Sequence, residues 1–121
     1  LVVSYGSSPP AEVVFADPPR TDAPTGASEG TCFRQQEYAG VLRGSDHPRD
    51  AEQLVRFLLS ERFQRELPLT LFVYPVNEAV VLPEVFTQFA IIPSDPFTVD
   101  PAAIAARREE WQDRWNEIVL R

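Results

Sequence analysis

Leu1-Val2-Val3-Ser4-Tyr5-Gly6-Ser7-Ser8-Pro9 is a short apolar run that delivers an aromatic ring and small hydroxyl groups into a proline-rich turn. Leu67-Pro68-Leu69-Thr70-Leu71-Phe72-Val73-Tyr74-Pro75-Val76 repeats the arrangement further along. Read as strands, both runs hold a backbone in place while the following loop exposes side chains, which is how concave ligand sites are commonly equipped. Both runs are therefore candidates to carry ligand-binding side chains. A third strand is expected over residues 31–42, where Phe33, Tyr38, Val41 and Leu42 alternate loosely before Gly44.

Between these runs lie helical signals. Asp46 is placed to cap a helix that Pro48 starts at its first turn, and Ala51, Leu54, Val55, Leu58 and Leu59 recur on one face. Ser60 is placed to cap a second short helix that buries Phe63 and Leu67 and stops at Pro68. Asp100 and Pro101 mark the start of a final helix in which Ile104, Arg108, Trp111, Trp115 and Ile118 share a stripe. That spacing predicts Trp111 and Trp115 as core residues. Residues 6–30 are rich in Pro, Ser, Asp, Thr and Gly, with Val13-Val14-Phe15 reading as a short strand or one helical turn; residues 80–96 read as irregular. Strands alternating with helices across long connections point to an α/β fold, a mixed sheet flanked by helices.

The chain has 121 residues, 44% of them hydrophobic, enough for one small domain. It contains no methionine and opens inside an apolar run, so a piece of a longer polypeptide is expected. Eighteen acidic residues against 11 basic ones give a net charge of −7. That balance argues against nucleic acid as a partner, because phosphate binding uses basic stripes. Arg107-Arg108 is followed at once by Glu109-Glu110, a solvated helix face. No segment approaches the ~20 apolar residues of a membrane-spanning helix.

Catalysis and metal binding find little support in the residues. Cys32 is the only cysteine, with no partner for a disulfide or a CxxC metal site. His47, the only histidine, lies in Ser45-Asp46-His47-Pro48 at a helix start. No catalytic residue, metal ligand or cofactor is therefore assigned. The separated tyrosines do not make a clustered ligand set for iron.

Three segments carry a family resemblance. Ser4-Tyr5-Gly6-Ser7-Ser8-Pro9 resembles the Ser-Tyr-x-x-Ser-Pro turn of bacterial thiamine-binding periplasmic proteins, within the type II periplasmic-binding class. Phe57-Leu58-Leu59-Ser60-Glu61-Arg62-Phe63-Gln64 is similar to the helix–Ser–x–x–Phe–Gln element of that class. Phe72-Val73-Tyr74-Pro75-Val76, with Leu82-Pro83 and the Trp-bearing last helix, completes the likeness.

The resemblance implies that residues 1–121 are the C-terminal part of a two-lobed solute-binding protein whose N-terminal half lies outside them. It further implies that Tyr5 and Tyr74 line the cleft and that Phe72 stacks on the ligand. The function implied is the extracytoplasmic binding component of an ABC importer, taking thiamine or a thiamine phosphate and passing it to a membrane permease. The location implied is periplasmic, or otherwise extracytoplasmic with a lipid anchor on the full-length protein. Aromatic faces suit a cationic thiazolium, at up to about 2 kcal/mol each when desolvated, and the Ser7 and Ser8 hydroxyls suit its polar arm. The chain departs from the family at Pro10-Ala11, where another aromatic is usual, and at Phe72, where Trp is frequent. Two other readings stay open: a type II binding protein for another small solute, and a thiamine-degrading transferase on the same scaffold. Unpaired strand edges in such a fragment would also favour self-association.

Overall fold

Among the described residues, four of the six α-helices begin with proline in their first turn. The ring presets φ there, and its missing N–H is one the first turn leaves unbonded anyway. The computed structural model describes residues 2–120. Its elements are α1 (Ser8–Val14), a 3-10 turn (Glu29–Thr31), α2 (Pro48–Leu58), α3 (Glu61–Gln64), α4 (Leu67–Thr70), α5 (Glu84–Phe89) and α6 (Pro101–Val119). Helix α1 packs against α5, and α2, α3 and α4 follow one another in a chain of neighbour contacts.

The expected mixed sheet is overturned. Among the described residues the ladder contacts reduce to one isolated parallel bridge, Phe33 with Phe97, where the Phe97 N–H donates to the Cys32 carbonyl at 2.8 Å. Residues 2–5 belong to no strand or helix and are exposed, Val3 at 90%, while Leu1 lies outside the described residues. Residues 34–42 carry no regular structure and make no ladder pairing beyond the Phe33 bridge. The strand expected over 69–74 begins instead as helix α4, with Pro68 in its first turn and not at the end of the helix before it. The reason is backbone bonding. A strand satisfies its N–H and C=O groups only through a neighbouring strand, whereas a helical turn does so within itself. Without a partner, Leu67-Pro68-Leu69-Thr70 closes its own bonds, Thr70 N–H to Glu66 O and Leu71 N–H to Leu67 O.

The junction of α2 and α3 is the best-bonded part of the chain. The Ser60 hydroxyl oxygen accepts from the Phe63 N–H at 3.3 Å, as its capping position requires, and Phe57 meets Phe63 edge-on at 5.5 Å. Gln64 is buried, donating to the Leu58 carbonyl and accepting the Val76 N–H, both at 2.7 Å. Asn77 donates to the Leu59 carbonyl at 3.0 Å. Two side-chain amides thus tie residues 76–77 to the end of α2, which fixes where the adjoining Tyr74-Pro75 lies.

Helix α6 is capped as expected, the Asp100 carboxylate accepting from the Ala102 N–H at 2.9 Å. Its expected burial does not occur. Residues 105–120 are exposed, including Trp111 and Trp115, and Arg107 lies 5.3 Å over the Trp111 ring. The stripe has the right spacing, but no described element comes to cover it. The whole surface measures 10,331 Å². A folded monomer of 13.6 kDa is expected to expose about 6,600 Å².

Candidate ligand-binding surface

Phe86, 1% exposed, is the centre on which the aromatic candidates converge. Phe72 stacks on it with ring centroids 6.0 Å apart and an interplanar angle of 23°. Tyr74 meets it edge-on at 5.9 Å, and Phe15, just beyond α1, reaches Phe72 at 5.3 Å. Offset and edge-to-face pairs of this kind are favoured by the ring quadrupoles. Phe86 is presented by α5, and α1 packs on α5, so the turn that starts α1 is brought beside the aromatic block.

That turn carries the first group of candidates. Ser8 N–H donates to the Tyr5 carbonyl at 3.0 Å, closing the chain over Gly6 and Ser7. Ser7 is 4% exposed, and its carbonyl accepts the Ala11 N–H. The Ser8 and Ser4 hydroxyls are hydrogen-bonded at 2.6 Å. Tyr5, in contrast, is 79% exposed, its ring standing clear of the packed block.

The second group reaches the same place. The Tyr74 hydroxyl donates to the Ile91 carbonyl at 2.9 Å, and the Ile91 N–H donates to the Gly6 carbonyl at 3.3 Å. A Cβ added at Gly6 would lie 3.0 Å from the Ile91 carbonyl oxygen and 3.7 Å from the Tyr74 hydroxyl, so the absence of a side chain permits this approach. Burial, with a smaller contribution from Cys32, pushes the Tyr74 phenol above its ordinary value. Phe72, just beyond the C-cap of α4, has φ of 54°, in the left-handed region. Such a conformation is uncommon for a non-glycine residue, and here it turns the ring onto Phe15 and Phe86.

Tyr74, Ser7 and Ser8 are thus gathered around Gly6 and Ile91, while Phe72 joins them through Phe86. Tyr5 extends from the same turn. Gly6, Phe86 and Ile91 were not among the ligand candidates. Gly6 directly after Tyr5 was the available sign of close backbone approach; nothing local in Glu84-Val85-Phe86 marks its ring as the hub. Cys32 is a free thiol, half-buried, donating to the Ser28 carbonyl at 3.3 Å. The surface depression lined by Glu12, Ala16, Asp17, Pro18, Arg20 and Pro24 includes none of the five candidates.

Two curated proteins match the chain from end to end. A thiamine-binding periplasmic protein of Salmonella typhimurium is 33% identical over all 121 residues, and one of Escherichia coli is 32% identical over the same length. The chain is similar to thiamine-binding periplasmic proteins throughout. It spans 36% of the length of each of them. No family model matches the chain, and no solved structure matches it significantly.

Proposed function

We propose that this chain is part of an extracytoplasmic solute-binding protein and supplies one wall of a site for thiamine or a thiamine phosphate. The observation that carries the reading is the end-to-end similarity to two thiamine-binding periplasmic proteins. In this reading Tyr5, Ser7, Ser8, Phe72 and Tyr74 make up the wall. The exposed Tyr5 ring offers a face to the cationic heterocycle, Ser8 offers a hydroxyl, and the Phe72–Phe86–Tyr74 block backs them with a water-poor surface. Aromatic faces attract a cation most strongly once water is displaced. Closure of the site comes from polypeptide beyond these residues. The large exposed area supports that arrangement, as does a length only 36% of the relatives'. The protein captures and releases its ligand without chemical change, and a membrane permease of an ABC importer receives it.

Calorimetric titration of the full-length protein with thiamine and with thiamine monophosphate tests the reading. Submicromolar binding with the ligand recovered intact is the expected result. Absence of heat with both compounds would assign the surface to another solute, and consumption of thiamine would make the protein an enzyme.

A further inference from the structure

Tyr74 has its hydroxyl engaged on the protein itself. The group donates to the Ile91 carbonyl at 2.9 Å, while the Ile91 N–H donates to the Gly6 carbonyl at 3.3 Å. Ile91 is therefore held from both sides, by Tyr74 on one and by the serine-bearing turn on the other. The ring of Tyr74 is set in turn by its edge-on contact with the fully buried Phe86. Position along the chain is set by Gln64 and Asn77, which anchor residues 76–77 to the end of α2. A continuous path of bonds and ring contacts thus runs from the α2–α3 junction through Tyr74 and Ile91 to Gly6.

From this we infer that Tyr74 is a positioning residue: its hydroxyl clamps the Ile91 peptide against Gly6 and so holds Tyr5, Ser7 and Ser8 in their binding arrangement. The inference rests on the proposed thiamine reading only for the identity of the ligand. Gly6 is the second half of the device. A methyl there would stand 3.0 Å from the Ile91 oxygen, closer than ordinary van der Waals contact, and would push the two segments apart by a few tenths of an ångström. Tyr74→Phe keeps the ring against Phe86 and removes the clamp; Gly6→Ala keeps the clamp and obstructs its seat.

The experiment is amide hydrogen exchange on the full chain and on Tyr74→Phe, Gly6→Ala and the double variant, with thiamine titrated into each in its full-length protein. Expected for Tyr74→Phe is exchange about tenfold faster at the Ile91 and Ser8 amides, the factor for one net hydrogen bond. Exchange at Val55 within α2 stays unchanged. Gly6→Ala acts on the same two amides, and the double variant exceeds the larger single effect by less than the product of the two. Thiamine affinity falls in parallel with the local exchange. Equal acceleration at Val55 would reduce Tyr74 to a general stability role and overturn the inference. So would multiplicative effects in the double variant, or an Ile91 amide already unprotected in the original chain. Protected Ile91 with no thiamine binding would retire the ligand reading and leave the clamp in place.

Discussion

Two groups of aromatic residues in this chain meet opposite fates. Phe15, Phe72, Tyr74 and Phe86 come from three separate stretches and pack ring to ring. Trp111 and Trp115 sit one turn apart on a nineteen-residue helix, and both remain exposed. Regular spacing gathers side chains on a face, but only a second element removes that face from water. The first group has its second element because α1 lies on α5. The helix α6 has none among the described residues.

The widest contrast is in stability. Phe86→Ala should destabilise the chain by roughly 3 kcal/mol, the lower end for a buried phenylalanine. Trp115→Ala, removing a larger ring that is 53% exposed, should change it by less than about 0.5 kcal/mol. Urea unfolding followed by far-UV circular dichroism reads both. A Trp115→Ala cost approaching that of Phe86→Ala would break the comparison, by showing that α6 is covered in solution.

Next in size is Gln64. Replacing it with alanine strips bonding partners from the Leu58 carbonyl and the Val76 N–H, at a cost of about 2 kcal/mol. Exchange at the Val76 amide should rise with it. A loss confined to global stability, with Val76 still protected, would detach the aromatic block from the α2–α3 junction. Asp100→Ala comes third. It removes the cap bond to Ala102 and should cost about 1 kcal/mol of α6 stability. Because α6 packs on little, this change should appear as lost helicity and leave the Phe86 region unaltered.

The smallest effect is one of pH. Burial first, and Cys32 second, raise the Tyr74 phenol above its ordinary value, so the folded state favours the neutral form. The associated stabilisation is fully present below the unfolded phenol value, near pH 10, and is lost as pH rises through the higher folded value. Stability measured upward from pH 9.5 should therefore decline more steeply in the original chain than in Tyr74→Phe. Identical slopes would place the Tyr74 hydroxyl in water.

The legible parts of the fold are those set by nearest neighbours. Asp100 and Ser60 cap helices where their positions predicted, because the acceptor and its N–H are two or three residues apart, whereas Asp46 does not: His47 holds the N-cap position of α2 and no side chain bonds there. The α2 helix forms where its periodicity places it, but of the expected face only Ala51, Val55 and Leu58 are half-buried, while Leu54 and Leu59 are exposed because no described element covers them. Residues 69–74 failed for the opposite reason. A Leu- and Val-rich run is a strand only when another strand lies beside it, and that neighbour is not encoded in the run. Gln64 reads as an ordinary polar residue until Val76, twelve positions away, is brought to it. The candidate surface divides the same way. Tyr5, Ser7, Ser8, Phe72 and Tyr74 announced themselves as aromatic and hydroxyl groups at turns. Their dependence on Gly6, Phe86 and Ile91 is a property of tertiary contact.

The left-handed backbone at Phe72 gives the aromatic block a directional character. An L-residue held at φ of 54° sits about 1–2 kcal/mol above its relaxed geometry, and ring contact with Phe15 and Phe86 offsets that tension. Ring stacking and the bearing of the chain into Tyr74 thus meet at a single residue, Phe72.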